Sequence, residues 1–299
     1  MDESSVRGAG EKRFQVLFHV ILIFMTFCAV MPFVMLVASS FTSDTSLSQF
    51  GYNFWPREFS GYAYKYLFST NGSNVFRAYG ITILVTVVGT ILSLLAGPLL
   101  AYPLSRRDYP RAKVITFLVF FTMLFSGGLV PSYIMWSNTF GVKNTLFALL
   151  FPTLLFNGFY IILYKNNFAS NIHPALIEAA KIDGAGEWYI YFKIILPLSL
   201  PILATVGLMV ALGYWNDWQN GLYFISDSKL YSLQQLLKVI IDNIRNLTQI
   251  SNSGVNASDL PSNSIRMAMA VVGIIPILCL YPFFQKAFVA GISLGGVKE

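Results

Sequence analysis

Long apolar runs, broken by short polar stretches, dominate the chain from Phe14 onward. Six of these runs reach the roughly 20 residues that a helix needs to cross a bilayer. They cover Phe14 to Ala38, Ala78 to Ala101, Val114 to Trp136, Thr145 to Tyr164, Ile195 to Asp217 and Met267 to Phe288. Glycine and proline punctuate several of them, as at Gly97-Pro98 and from Gly273 to Pro276. Spanning helices tolerate such breaks because neighbouring helices and polar side chains satisfy the freed backbone groups. The pattern predicts an all-α polytopic membrane protein with six transmembrane helices. The first run follows Lys12 and Arg13, as in a secretory leader, but it is long for one and lacks a small-residue cleavage pattern. A retained first helix is expected.

Composition agrees. Of 299 residues, 55% are hydrophobic and only 11% charged, against about 25% charged in ordinary soluble domains. The net charge of +6 is spread without a long basic run, so it argues for membrane topology rather than nucleic-acid binding. Arg106, Arg107, Arg111 and Lys113 crowd the short link between the second and third spans and place it in the cytoplasm. Lys12, Arg13, Lys165, Lys181 and Lys193 then fall on the same side. This gives both termini inside and two external segments, 39–77 and 218–266. The remaining divisions are an N-terminal segment 1–13, a first span 14–38, a core of five spans 78–290 containing the loop 166–194, and a tail 291–299. Ser251 to Ser264, rich in Ser and Asn, reads as an exposed loop. Arg106 and Arg107 either set topology or touch a partner beside the loop.

Chemistry is sparse. Cys28 and Cys279 lie within apolar runs, His19 and His173 are far apart, and no metal-ligand spacing occurs. There is no phosphate-binding GxxxxGK[ST] loop, since Gly8-Ala9-Gly10-Glu11-Lys12 has the wrong spacing. No cofactor is expected on this chain, and it is not expected to be an enzyme.

The most informative stretch is the cytoplasmic loop between the fourth and fifth spans. Pro174 suits the first turn of a helix and Asn171 a cap or turn. A short helix from Pro174 to about Ile182 should follow, stopped by Gly184 and Gly186. Such a helix is too short to persist alone in water and needs a surface to dock on. Ala175, Ala179 and Ala180 permit close approach, Glu178 and Asp183 offer carboxylates, and Trp188, Tyr189, Tyr191 and Phe192 suit a membrane interface. On physical grounds alone, a docking helix and a plain interfacial linker remain open.

Glu178-Ala179-Ala180, Gly184, Ile194 and Leu196-Pro197 reproduce the pattern EAA-x3-G-x9-I-x-LP without a gap. This resembles the signature loop of permease subunits in binding-protein-dependent ABC importers. Tyr281-Pro282-Phe283-Phe284-Gln285-Lys286, Gly291 and Gly295 to Lys298, with Trp215-Asn216-Asp217, are similar to the oligosaccharide and polysaccharide branch, alginate importers included. The C-terminal Glu299 departs from that pattern. The resemblance implies a type I importer permease fold in a bacterial cytoplasmic membrane. It implies a second, homologous permease subunit, two ATPase subunits carrying ATP and magnesium, and an extracellular or periplasmic sugar-binding protein. It makes Glu178, Ala179, Ala180, Asp183, Gly184 and Ala185 the ATPase-coupling segment. A carbohydrate path needs ring faces and amides. The candidates are Asn157, Tyr160, Tyr214, Trp215 and Asn216, each of which also suits an interface. The alternative is an ion-gradient-driven secondary transporter, but such proteins bury ionisable groups mid-membrane, and these spans are almost free of charge.

Overall fold

The computed structural model describes residues 9–70, 72–152, 154–251 and 263–296. Among them the fold is all helical, with one isolated β-bridge between Thr42 and Phe59. The chain divides into two compact units, residues 1–72 with 241–274 and residues 73–240 with 275–299.

In the first unit, the Ala9–Ser40 helix contains an uninterrupted apolar span, Phe14–Ser40, of which only Ser39 and Ser40 at its end are buried. Pro32 sits inside it. Beyond it, Ser43 caps the short Asp44–Phe50 helix by accepting from Ser46 N–H. Phe41 stacks on Phe59, and the Ser40 and Tyr64 hydroxyls pair at 2.8 Å. Asp44 Oδ1 accepts from Asn263 N–H at 2.8 Å and Ser264 N–H at 3.1 Å. It thus places a carboxylate on the positive end of the Asn263–Gly296 helix. Residues 252–262, most of the expected Ser251–Ser264 loop, lie outside the described residues, as do the side chains of the C-terminal motif beyond Cys279.

In the second unit, the Gly72–Ser105 helix is a second uninterrupted span. The third and fifth expected spans are bent. The Ala112–Leu124 helix and the helical stretch Leu129–Thr139 meet at 113°, at Ser126-Gly127-Gly128. Gly128 has φ +87°, a conformation costly for any residue with a Cβ. Glu187–Leu198 and Leu200–Trp215 meet at 78° about Ser199, between Pro197 and Pro201. Each proline lacks an N–H, so the helical ladder is weakened on both sides of the bend. The fourth expected span is not one helix. A Phe147–Leu150 turn is separated from the Gly158–Asn171 helix by Phe151–Asn157, which contains Pro152. Two intact spans and two bent ones, with the apolar helix Asn263–Cys279, are consistent with the expected multi-pass architecture.

The core of this unit joins these pieces through Ala101, Tyr164, Phe168, Ile195, Val210 and Tyr214. Packing is close enough that a Cβ on Gly89 would fall 2.4 Å from the Tyr214 ring. The segment 218–266 also holds an amphipathic helix, Leu233–Ser251. Its buried Leu233, Leu236, Leu237 and Ile240 recur at the spacing of one helix face.

Candidate functional site: the coupling loop and its clamp

The expected short helix runs from Pro174 to Ile182. Pro174 occupies its first turn, but the cap is His173, not Asn171: His173 Nδ1 accepts from Ala175 N–H at 3.3 Å. The end is closed by two reversed bonds, Gly184 N–H to Lys181 C=O and Ala185 N–H to Ala180 C=O. That pairing requires a left-handed residue at the turn, and Gly184 supplies it with φ +81°. Gly186 does not act as a stop. It is extended, at φ −73° and ψ 161°, and opens the next helical turn, Glu187–Ile190.

The helix has two faces. Ile177, Ala180 and Ala185 pack against the unit's own core. Glu178, Ala179, Asp183 and Gly184 are exposed, as are Leu176 and Ile182, the latter 86% accessible. An apolar side chain so open at a helix end gains by being covered. The Glu178 and Asp183 carboxylates have no hydrogen bond or ion pair among the described residues.

A cluster of five side chains fixes the C-terminal end of this helix to the link after the Gly72–Ser105 helix. Arg106 grips Asp108 with two parallel bonds, Nε to Oδ1 at 2.8 Å and Nη2 to Oδ2 at 2.5 Å. Arg106 Nη1 also donates to the Tyr102 hydroxyl at 2.9 Å and approaches Glu187 Oε2 at 3.5 Å. Tyr102 donates to the same Glu187 oxygen at 2.7 Å. Lys181 Nζ closes the ring, 2.9 Å from Glu187 Oε1 and 3.4 Å from Asp108 Oδ2. The hydrogen bonds from Arg106 hold the Asp108 carboxyl well below the usual carboxylate range. The bond to Glu187 raises Lys181 above an ordinary lysine. Both groups are therefore charged at neutral pH. Arg106 is committed to this clamp, its side chain only 12% exposed, whereas Arg107 is exposed. A cavity of about 380 Å³ adjoins the clamp, lined by Tyr102, Arg106, Glu187, Trp188 and Tyr191 among others.

Sequence reading missed Tyr102, Asp108 and Glu187. Their only signal is charge complementarity between two loops some 80 positions apart, and nothing local marks it.

The carbohydrate-path candidates separate. Asn157 Oδ1 accepts from Phe159 N–H at 2.9 Å and caps the Gly158–Asn171 helix. Tyr160 is partly buried against the core. Tyr214 and Trp215 are 2% and 3% exposed, which places them in packed interior rather than on an open wall. The Tyr214 hydroxyl donates to Leu150 C=O at 2.8 Å. Asn216 is exposed, and its Nδ2 donates to Leu212 C=O one turn back. Asp217, beside it, is half-buried and accepts from Asn220 N–H and Nδ2.

Residues 89–294 match the family described as binding-protein-dependent transport system inner membrane component. The chain belongs to this family. As a family member it is the membrane permease subunit of an ABC importer, and it shares extended similarity with named permeases. It is 38% identical over 285 residues to the polygalacturonan/rhamnogalacturonan transport system permease protein YtcP of Bacillus subtilis, covering 95% of this chain and 98% of that one. It is 37% identical over 269 residues to protein LplC of the same organism, covering 90% and 89%. Among solved structures, it matches a chain of a bacterial ABC transporter involved in the import of the acidic polysaccharide alginate. There the TM-score is 0.76 with 28% identity, over 95% of this chain and 100% of the other. The permease's loop and clamp both lie within the family match.

Proposed function

We propose that this permease subunit carries an oligosaccharide or polysaccharide fragment across the cytoplasmic membrane by alternating access, driven by separate ATPase subunits through the Pro174–Ile182 helix. The reading draws its substrate class from relatives named for pectic polysaccharides and from the alginate importer. Its partners are a second permease chain, two ATPases that hold ATP and magnesium, and an external sugar-binding protein. This chain holds no nucleotide and no metal in this reading, and both its termini face the cytoplasm.

The observation that carries the proposal is the two-faced helix. Its inner face is anchored to the permease core and its outer face carries an uncovered Ile182 beside two unpaired carboxylates. Glu178, Ala179, Asp183 and Gly184 form the docking surface, and Ala180 and Ala185 hold that surface to the core. The clamp makes the loop after the Gly72–Ser105 helix move with it, so a push is shared between two segments of the permease. Asn157, Tyr160 and Asn216 remain path residues in this proposal, and Tyr214 and Trp215 support them from behind.

The test is substrate-stimulated ATP hydrolysis and sugar uptake in the reconstituted complex. Ile182→Asp should lower both by weakening ATPase docking, while leaving the permease folded. Normal assembly and normal stimulated hydrolysis in that variant would sink the docking assignment.

A further inference from the structure

A second cavity, about 900 Å³, opens beside the Arg106–Arg111 link and shares Arg106 and Tyr109 with the first. Arg107, Lys113 and Lys165 line it, and no acidic residue does. These three cations make no ion pair among the described residues, unlike Arg106, which the clamp occupies. The rest of the wall includes Phe117, Phe120 and Ile162. Phe117 is 62% and Phe120 48% exposed, and both lie on the apolar Ala112–Leu124 helix, the first half of a bent span. The pocket therefore sits where the Gly72–Ser105 span ends and the next begins, at the level where bilayer gives way to water.

We propose that this pocket binds the headgroup of an anionic phospholipid, with its phosphate held by Arg107, Lys113 and Lys165 and an acyl chain against Phe117 and Phe120. Unpaired cations at the edge of the hydrocarbon attract anionic headgroups. The phenyl rings decide the source of the phosphate. A free phosphate uses the cations and leaves the rings in water, whereas a lipid covers both. The charge also selects against zwitterionic lipid, whose choline would face three positive groups. No residue of the Pro174–Ile182 helix lines the pocket. The lipid would bridge Lys165, on the Gly158–Asn171 helix, to the link that carries the clamp.

The complete transporter is reconstituted in nanodiscs of phosphatidylcholine alone, or of equal parts phosphatidylcholine and phosphatidylglycerol. Lipid retained by the released complex is read by native mass spectrometry. Phosphatidylglycerol should be retained in preference. Each of R107Q, K113Q and K165Q should weaken that preference about fivefold, and the triple variant should abolish it. R107K/K113R/K165R should keep it, and single variants serve if the triple does not assemble. Equal retention of both lipids, or an unchanged preference in the glutamine variants, overturns the proposal. So does full displacement of the lipid by inorganic phosphate, which marks a simple anion site. Protection of Lys113 and Lys165 from amine labelling by the ATPase in phosphatidylcholine alone also overturns it, and assigns the pocket to that protein.

Discussion

Single residues already separate structural from functional roles. Tyr164 and Tyr214 are both fully buried tyrosines, yet among the described residues only the Tyr214 hydroxyl of the two has a partner. Removing a satisfied buried hydroxyl costs about 1 kcal/mol, and removing an unsatisfied one costs nothing or gains stability. Tyr214→Phe should lower the thermal midpoint of the detergent-solubilised protein, whereas Tyr164→Phe should leave or raise it. The reverse order would contradict the hydrogen-bond assignment. Gly184 is the other decisive residue. A β-branched side chain at φ +81° costs roughly 1–3 kcal/mol. Gly184→Val should open the reversed bonds at the helix end and reduce stimulated ATP hydrolysis severalfold. Gly186→Ala, at an extended position, should be close to neutral in the same assay. Equal loss in the two variants would mean that space, not backbone handedness, selects glycine there.

Elements show how far the sequence could be read and where it fell short. The Pro174–Ile182 helix was legible to its last residue because proline, the alanines and Gly184 each constrain the backbone locally. The bends were not. The hydrophobicity from Val114 to Trp136 reports burial or lipid contact but not axis direction, so it carries no sign of the 113° turn at Gly127-Gly128. The 233, 236, 237, 240 spacing marks the amphipathic Leu233–Ser251 helix only weakly, because the polar residues between and beyond those positions also suit an external connection. The clamp depends on pairing between distant loops and had no local trace. Its pH response follows from the shifts. The Asp108 carboxyl is lowered from an ordinary 3.8, so its contribution is complete above that value and disappears only in stronger acid. Lys181 is raised from 10.5, so its contribution is complete below that value and fades only in stronger alkali. A spin-label distance between residues 107 and 182 should therefore be constant from about pH 5 to pH 9. Lys181→Gln and Asp108→Asn should each broaden that distance distribution. Because both groups are open to solvent, the stability cost of either change should be slight.

For the molecule as a whole, the permease's motor is expected to reside in other chains. Affinity capture of this subunit from membranes should bring down an ATPase and a second permease of the same family. The Ile182→Asp variant should retain the permease partner and lose the ATPase. Loss of both would point to misfolding, and retention of both would remove the docking role. The polygalacturonan/rhamnogalacturonan and alginate named for two of the similar transporters suggest a panel for the binding partner, and polygalacturonate fragments should stimulate hydrolysis more than neutral glucans.

The Phe14–Ser40 helix has one consequence for how this protein comes into being. From Phe14 to Ala38 no residue of it is buried, so released into water it would expose an apolar surface far larger than soluble proteins carry. It can be released from the ribosome only into lipid, or into the grip of a chaperone that will deliver it there. Insertion and maturation of this chain are therefore a single event, and a cell that stalls the first leaves nothing for the second to rescue.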